Sequence, residues 1–230
     1  MRPLPVTYST SVGVGVGTGA GAGFGPEVDR ILADPRGWLK YGYHFVRDAA
    51  RPDVHIRLET PSRADALCNG LRGLSCWRPR ARDIIIHEGN WNGGSRSELP
   101  LRRYHNYVIN HEVGHFLGLE HQQCPKAECE RRGVAAGACP ASIMQQMSRG
   151  PDHIAPCVES DWPLDPAWGI DDPRPRAGGR PLRALALILL VIIVVVVVLG
   201  MILGQGAPRC MPPSVPASRL VMGRSPGAQT

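Results

Sequence analysis

The chain has 230 residues, enough for one medium-sized domain with appendages. It carries 26 basic against 20 acidic residues, a net charge of +6, yet only Lys40 and Lys126 are lysines and the arginines are scattered among Asp and Glu. With neither a basic block nor an interleaved aromatic pattern, nucleic-acid binding is not expected.

Residues 1–25 open on VTYSTSVGVGV (Val6–Val16), whose alternating β-type residues predict a first strand. The segment GTGAGAGFG follows. Gly15, Gly17 and Ala20 match a GxGxxA spacing, but glycine this dense makes the match uninformative, and the stretch reads as a flexible loop. No compact apolar core of the signal-peptide type is found here. In PEVDRILADPRGW, Pro26 suits a first helical turn, Val28, Ile31 and Leu32 share one face, and the helix must stop before Pro35. DVHIRLET alternates Val54, Ile56 and Leu58 with His55 and Arg57, the pattern of a half-buried strand. DIIIHEGNW holds a continuous apolar run, Ile84 to Ile86, which predicts a central strand. His87 and Glu88 after it read as a solvated strand end, with lining of a cleft as the other reading.

A helix is expected from about Leu101 to Leu117, carrying NHEVGHFLGLEH (Asn110–His121). His111 and His115 are four positions apart and project from one helical face a turn apart, a separation that lets two imidazoles hold one metal ion. Glu112 can take a proton from water at that metal. Gly118 can adopt the positive φ that ends the helix and returns His121 as a third ligand. Three neutral ligands and one open position are the arrangement of catalytic zinc. Asn110 and Glu120 flank ligands and are expected to fix imidazole tautomers. Tyr104 and Tyr107 precede the motif on the same helix, and no tyrosine follows Tyr107.

From Glu120 to Trp168 the chain is rich in Cys, Pro and Gly with little periodicity. Six of the seven cysteines (Cys68, Cys76, Cys124, Cys129, Cys139 and Cys157) fall between residues 26 and 168, and no CxxC pair occurs, so disulfides are favoured over structural zinc. Six cysteines allow fifteen pairings, and spacing alone does not choose among them.

Residues 169–183 read as a Pro/Arg-rich linker. Residues 184–203, ALALILLVIIVVVVVLGMIL, contain no charge and have the length of a transmembrane helix. Residues 204–230 form a polar tail, expected to be disordered. The expected localisation is therefore a single-pass membrane protein in contact with the lipid bilayer. The two topology signals disagree. Arg174, Arg176, Arg180 and Arg183 put the domain on the cytoplasmic side, whereas paired cysteines put it in an oxidising compartment.

HExxHxxGxxH is the signature of the metzincin clan of zinc metalloproteases, which this sequence resembles. The clan's second mark, a turn with a methionine beneath the metal, is matched by CPASIMQQM, with Met144 aligned to that methionine and Met147 as the other choice. DPRGW (Asp34–Trp38), Cys68 and Cys76, YVINHEVGHFLGLEHQQCP, PASIMQQ and the late Cys157, Trp162 and Pro163 together resemble a metzincin-like domain of secreted and membrane-tethered actinobacterial proteins. The likeness spans about residues 26–168. It implies an α+β fold: a twisted mixed sheet, an active-site helix and an irregular Cys-rich C-terminal subdomain. It also implies pairing of Cys68 with Cys76 and of Cys124 with Cys157, leaving Cys129 and Cys139 for a local bridge. The segment KAECERRGVAAGA lengthens the path from His121 to the methionine turn, and the anchor here is C-terminal.

The function implied is a membrane-anchored zinc endopeptidase acting on a protein or peptide substrate laid along an edge strand. His111, His115 and His121 would hold the metal and Glu112 would act as general base. The alternatives are a metal-bearing domain that binds a partner without turnover, and a structural membrane or envelope protein stabilised by disulfides and zinc. Glu112 favours catalysis, because a structural site needs the histidines but no base.

Overall fold

The computed structural model describes residues 3–173. The apolar segment 184–203, the tail 204–230 and residues 174–183 of the linker lie outside the described residues. Among the described residues no helix is long and apolar enough to cross a membrane.

The fold is a mixed α/β arrangement around one five-stranded sheet. Strands β1 (Leu4–Val12), β2 (Tyr43–Arg47), β3 (Val54–Glu59), β4 (Cys76–Arg78) and β5 (Asp83–His87) lie in the order β2-β1-β3-β5-β4. Three pairings are parallel and only β4 runs antiparallel, against β5, at one edge. The sequence patterns account for the burial. Val54, Ile56 and Leu58 face the core, while His55 on the alternate face is exposed. The run Ile84–Ile86 is buried on both sides: Ile84 and Ile86 join the main core, and Ile85 packs with Ala64 and Cys68 of the short helix α2 (Pro61–Leu67) and its C-terminal end. Each of these isoleucines contributes roughly 1.5–3 kcal/mol by leaving water. β5 is an interior strand next to the edge; the middle of the sheet is β3.

The main core lies between the sheet and helices α1 (Thr18–Ala33) and α4 (Leu101–Phe116), which pack on each other. Phe24, Val28, Ile31 and Leu32 supply the buried face of α1, and Phe24 meets Trp91 of α3 (Glu88–Gly93) edge-on at 5.0 Å. The glycine-rich stretch expected to be a flexible loop is therefore helical, and the expected boundary at residue 25/26 falls inside α1. Sterics explain why glycine serves there. A Cβ on Gly21 would lie 3.2 Å from Val12 Cγ1, and one on Gly25 would lie 3.2 Å from Thr10 Oγ1. The bare backbone lets α1 approach β1 closely, and Glu88 anchors its start by accepting from the Gly17 N–H at 2.7 Å.

After α4 the chain is irregular apart from α5 (Lys126–Arg131) and short 3-10 turns. Three disulfides hold it and the sheet edge: Cys68–Cys76, Cys124–Cys157 and Cys129–Cys139. This is the pairing that the resemblance implies. The stretch expected to be linker from residue 169 begins later. Asp171 is fully buried, accepting from the amides of Ile143 and Leu164 and from Ser142 Oγ, so it belongs to the domain.

Candidate metal centre

Helix α4 brings His111 and His115 to one face, their ring centroids 4.9 Å apart. The helix then ends as its sequence requires. Gly118 takes φ +98°, its N–H returns to the His115 carbonyl at 3.0 Å, and the Leu119 N–H returns to the Gly114 carbonyl at 2.9 Å. This reversal carries His121 back over the helix, with ring centroids 5.3 Å from His111 and 4.6 Å from His115. One ligand atom from each of the three histidines lies within 4.8 Å of the others.

Two backbone carbonyls set the orientation of the rings. His111 Nδ1 lies 2.8 Å from the Ile143 oxygen, and His115 Nδ1 lies 2.8 Å from the Leu119 oxygen. A carbonyl can only accept, so each Nδ1 carries the hydrogen and each Nε2 keeps its lone pair. Sequence reasoning expected Asn110 and Glu120 to fix the tautomers. Asn110 instead bonds the carbonyls of Asn106 and Asp161, and Glu120 is exposed. Carbonyl partners leave no mark in a sequence because every residue has one.

His115 Nε2 and His121 Nε2 face each other at 3.1 Å. Burial lowers the proton affinity of all three imidazoles, most strongly at His111; the cation is further disfavoured at His111 by His115 and His121, and at His121 by His115 and Arg149. Neutral rings with convergent lone pairs are a donor set suited to a divalent cation.

Glu112 lines the same cavity of about 510 Å³ and is buried. Burial pushes its carboxyl up to about 8, against a backbone hydrogen bond from Trp77 that pulls it down. Among the described residues its Oε2 has no hydrogen-bond partner. A buried carboxylate oxygen without a donor is costly unless the site supplies one, and here it sits beside the imidazole trio.

The floor is the turn Ala141–Met147. Met144 is fully buried with its Sδ against Gly114 of α4, in space that a side chain on that glycine would occupy. Met147 is also buried, in the same core cluster. Tyr107 fixes the turn by donating to the Gln145 carbonyl and accepting from the Met147 N–H, both at 3.0 Å. The Gln122 N–H donates to the Met144 carbonyl at 3.1 Å and ties the segment beyond His121 to the same turn. Asp171 holds it from below through the Ser142 hydroxyl and the Ile143 amide, a contact that no sequence signal announced.

The remaining candidates are structural. His87, expected at a solvated strand end, is buried and accepts from the Asn90 N–H at the start of α3. Glu88 is committed to Gly17. Tyr104 bonds Ser148 Oγ at 3.0 Å. Cys124, Cys139 and Cys157 cluster closely enough to suggest a metal, but disulfides consume all three.

A model of the family described as "Protein of unknown function (DUF3152)" matches residues 5–153, from β1 to the turn beyond Met147. No curated protein and no solved structure matches the chain.

Proposed function

The chain belongs to the DUF3152 family, a membership that names no reaction, so from the site itself we propose that the protein is a zinc-dependent endopeptidase of metzincin-like architecture, tethered to a membrane by residues 184–203. The observation that carries this reading is the meeting, in one cavity, of three convergent imidazoles with a buried carboxyl whose Oε2 has no partner among the described residues. A metal held only for stability needs the imidazoles and gains nothing from burying Glu112 beside them.

His111, His115 and His121 would hold the ion through Nε2, with the Ile143 and Leu119 carbonyls fixing two of the rings. Bound there, zinc supplies Lewis-acid chemistry, lowering the pKa of water towards neutrality and polarising a peptide carbonyl. Glu112 Oε2 takes the proton of the attacking water and hands it to the amine nitrogen as the C–N bond breaks. Met144 and Tyr107 keep the floor rigid so that the ligands do not drift. The substrate lies extended beside β4, the edge strand whose Trp77 lines the cavity. The three disulfides support an oxidising compartment for the domain, in preference to the side that the arginine flank suggests.

The test is made on the full chain in detergent. About one zinc per chain and cleavage of an unfolded protein are expected, with Glu112→Gln lowering the rate by about 10²–10⁴-fold while keeping the metal. Equal, slow cleavage by both proteins would remove catalysis and leave a metal-bearing binding domain.

A further inference from the structure

A second groove, of about 700 Å³, opens directly off the candidate centre, and Leu71, Leu74, Ser148 and Arg149 line both. Its chemistry differs from that of the first. Arg72, Arg96 and Arg149 line it together with His153, and among the described residues no Asp or Glu does. Elsewhere the fold neutralises many of its guanidinium groups: Arg30 on Glu27, Arg47 on Asp29, Arg103 on Asp161. Among the described residues none of the three groove arginines has an ion-pair partner.

The groove is built before anything enters it. One wall is the loop 68–76, closed by the Cys68–Cys76 disulfide. Within it the Gly73 N–H donates to Asp65 Oδ1 at 2.8 Å, and its carbonyl accepts from Asn90 Nδ2 at 2.6 Å. The opposite wall is tied by Ser95 Oγ to the Ser148 carbonyl at 2.9 Å, and the Arg96 side chain packs against Gly150, its Cβ 3.7 Å from where a side chain on that glycine would begin. Walls fixed in this way spend little entropy on ordering when a ligand binds.

We propose that this groove is a specificity subsite that takes side-chain carboxylates of the peptide, so that the protein acts on acidic segments, with Asp or Glu beside the bond to be cut. The proposal rests on the peptidase reading and deepens it. Arg149, which lines both cavities, receives the carboxylate nearest the scissile bond. Arg72 and Arg96 receive those further along. An apolar side chain gains nothing from three uncompensated guanidinium groups, and a basic one is repelled.

Binding tests this apart from turnover. The full chain carrying Glu112→Gln is titrated against two fluorescent peptides of about ten residues, one with Glu at alternate positions and one with Gln there, at about 50 mM salt. The Glu peptide is expected to bind at least about tenfold more tightly. Each of Arg72→Gln, Arg96→Gln and Arg149→Gln should reduce that preference by up to about fivefold, and the three together should remove it. Raising the salt to about 500 mM should remove it as well, with no arginine changed. Equal binding of the two peptides, or a preference that survives the triple substitution, overturns the subsite and leaves the peptidase reading to its own assay. A single-stranded oligonucleotide that binds the same arginines more tightly than the Glu peptide also overturns it, since the occupant would then be nucleic acid. Arginine-dependent binding of the Glu peptide, with no cleavage by the unsubstituted chain, sustains the subsite and sinks the peptidase.

Discussion

Gly114 and Met144 share a single volume: the helix glycine leaves the space that the methionine Sδ fills, and Trp38 Cζ2 closes it from the side, 3.3 Å from where a Cβ would stand. Gly114→Ala sets two effects against each other. Alanine gains about 1 kcal/mol in helix propensity. The added methyl must displace a fully buried methionine and an indole, an overpacking cost of about 1–3 kcal/mol. We expect the clash to prevail, lowering Tm and loosening the floor under His111 and His115. Calorimetry beside a zinc titration would show both, and a variant as stable and as tight as the parent would contradict the contact.

Removing metal should destabilise the protein measurably. The imidazoles are held close and neutral in the fold, whereas the unfolded chain has no such preformed set. Zinc at a thousandfold excess over its Kd would stabilise the native state by about 4 kcal/mol. A chelator should therefore lower Tm by several degrees and zinc should restore it, while His121→Ala should abolish the difference. An unchanged Tm on chelation would argue that no ion is held there.

The clustering of His111, His115 and His121 was legible in the sequence because its geometry is local. A four-residue step on a helix and a glycine reversal bring three rings together whatever surrounds them. The strands β3 and β5 were legible through alternation and through one apolar run. What escaped depended on contacts between distant segments. Gly21 and Gly25 look like a loop until β1 is seen against them, and only then does their lack of a side chain become a packing requirement. His87 looks like a wet strand end until α2 and α3 cover it. Ile143 and Leu119 orient two rings through atoms that every residue possesses.

Acid should weaken the fold below about pH 6.5. Burial lowers the pKa of His87 and of His105, and His105 stacks on Trp91 at 3.7 Å. In the unfolded chain both titrate near ~6.5. As pH falls through that value the unfolded state takes up protons that the native state refuses, so stability present above it is lost towards the depressed folded values. Glu27 and Asp34, held low by Arg30 and Arg36, lose their contributions only below ~4.5, so the two windows are separable. Thermal melts of the zinc-free Glu112→Gln chain, which lacks the buried carboxyl whose raised pKa would work in the opposite direction, should differ between pH 7.5 and pH 5.5, with the lower Tm in acid. Identical melts would refute the buried neutral imidazoles.

The disulfides should differ in weight. Cys124–Cys157 closes a separation of 33 residues and Cys68–Cys76 one of 8. In the chain-entropy account these correspond to about 3.7 and about 2.5 kcal/mol. Paired alanine substitutions should reproduce that order in denaturant midpoints. Loss of the first pair should also weaken zinc binding, because Cys124 follows His121 by three positions. The reverse order would mean that native packing, and not restriction of the unfolded chain, dominates.

Asp171 makes the floor of the site and the exit of the chain the same place. A fragment cut at Trp168, where composition alone suggests the domain stops, would leave the Ser142 hydroxyl and the amides of Ile143 and Leu164 without their buried acceptor. The peptide that steadies His111 would be the one to slacken. A truncated preparation would then register a feeble affinity that belongs to the scissors and not to the protein, and three more residues at its end, Gly169 to Asp171, are enough to tell the two apart.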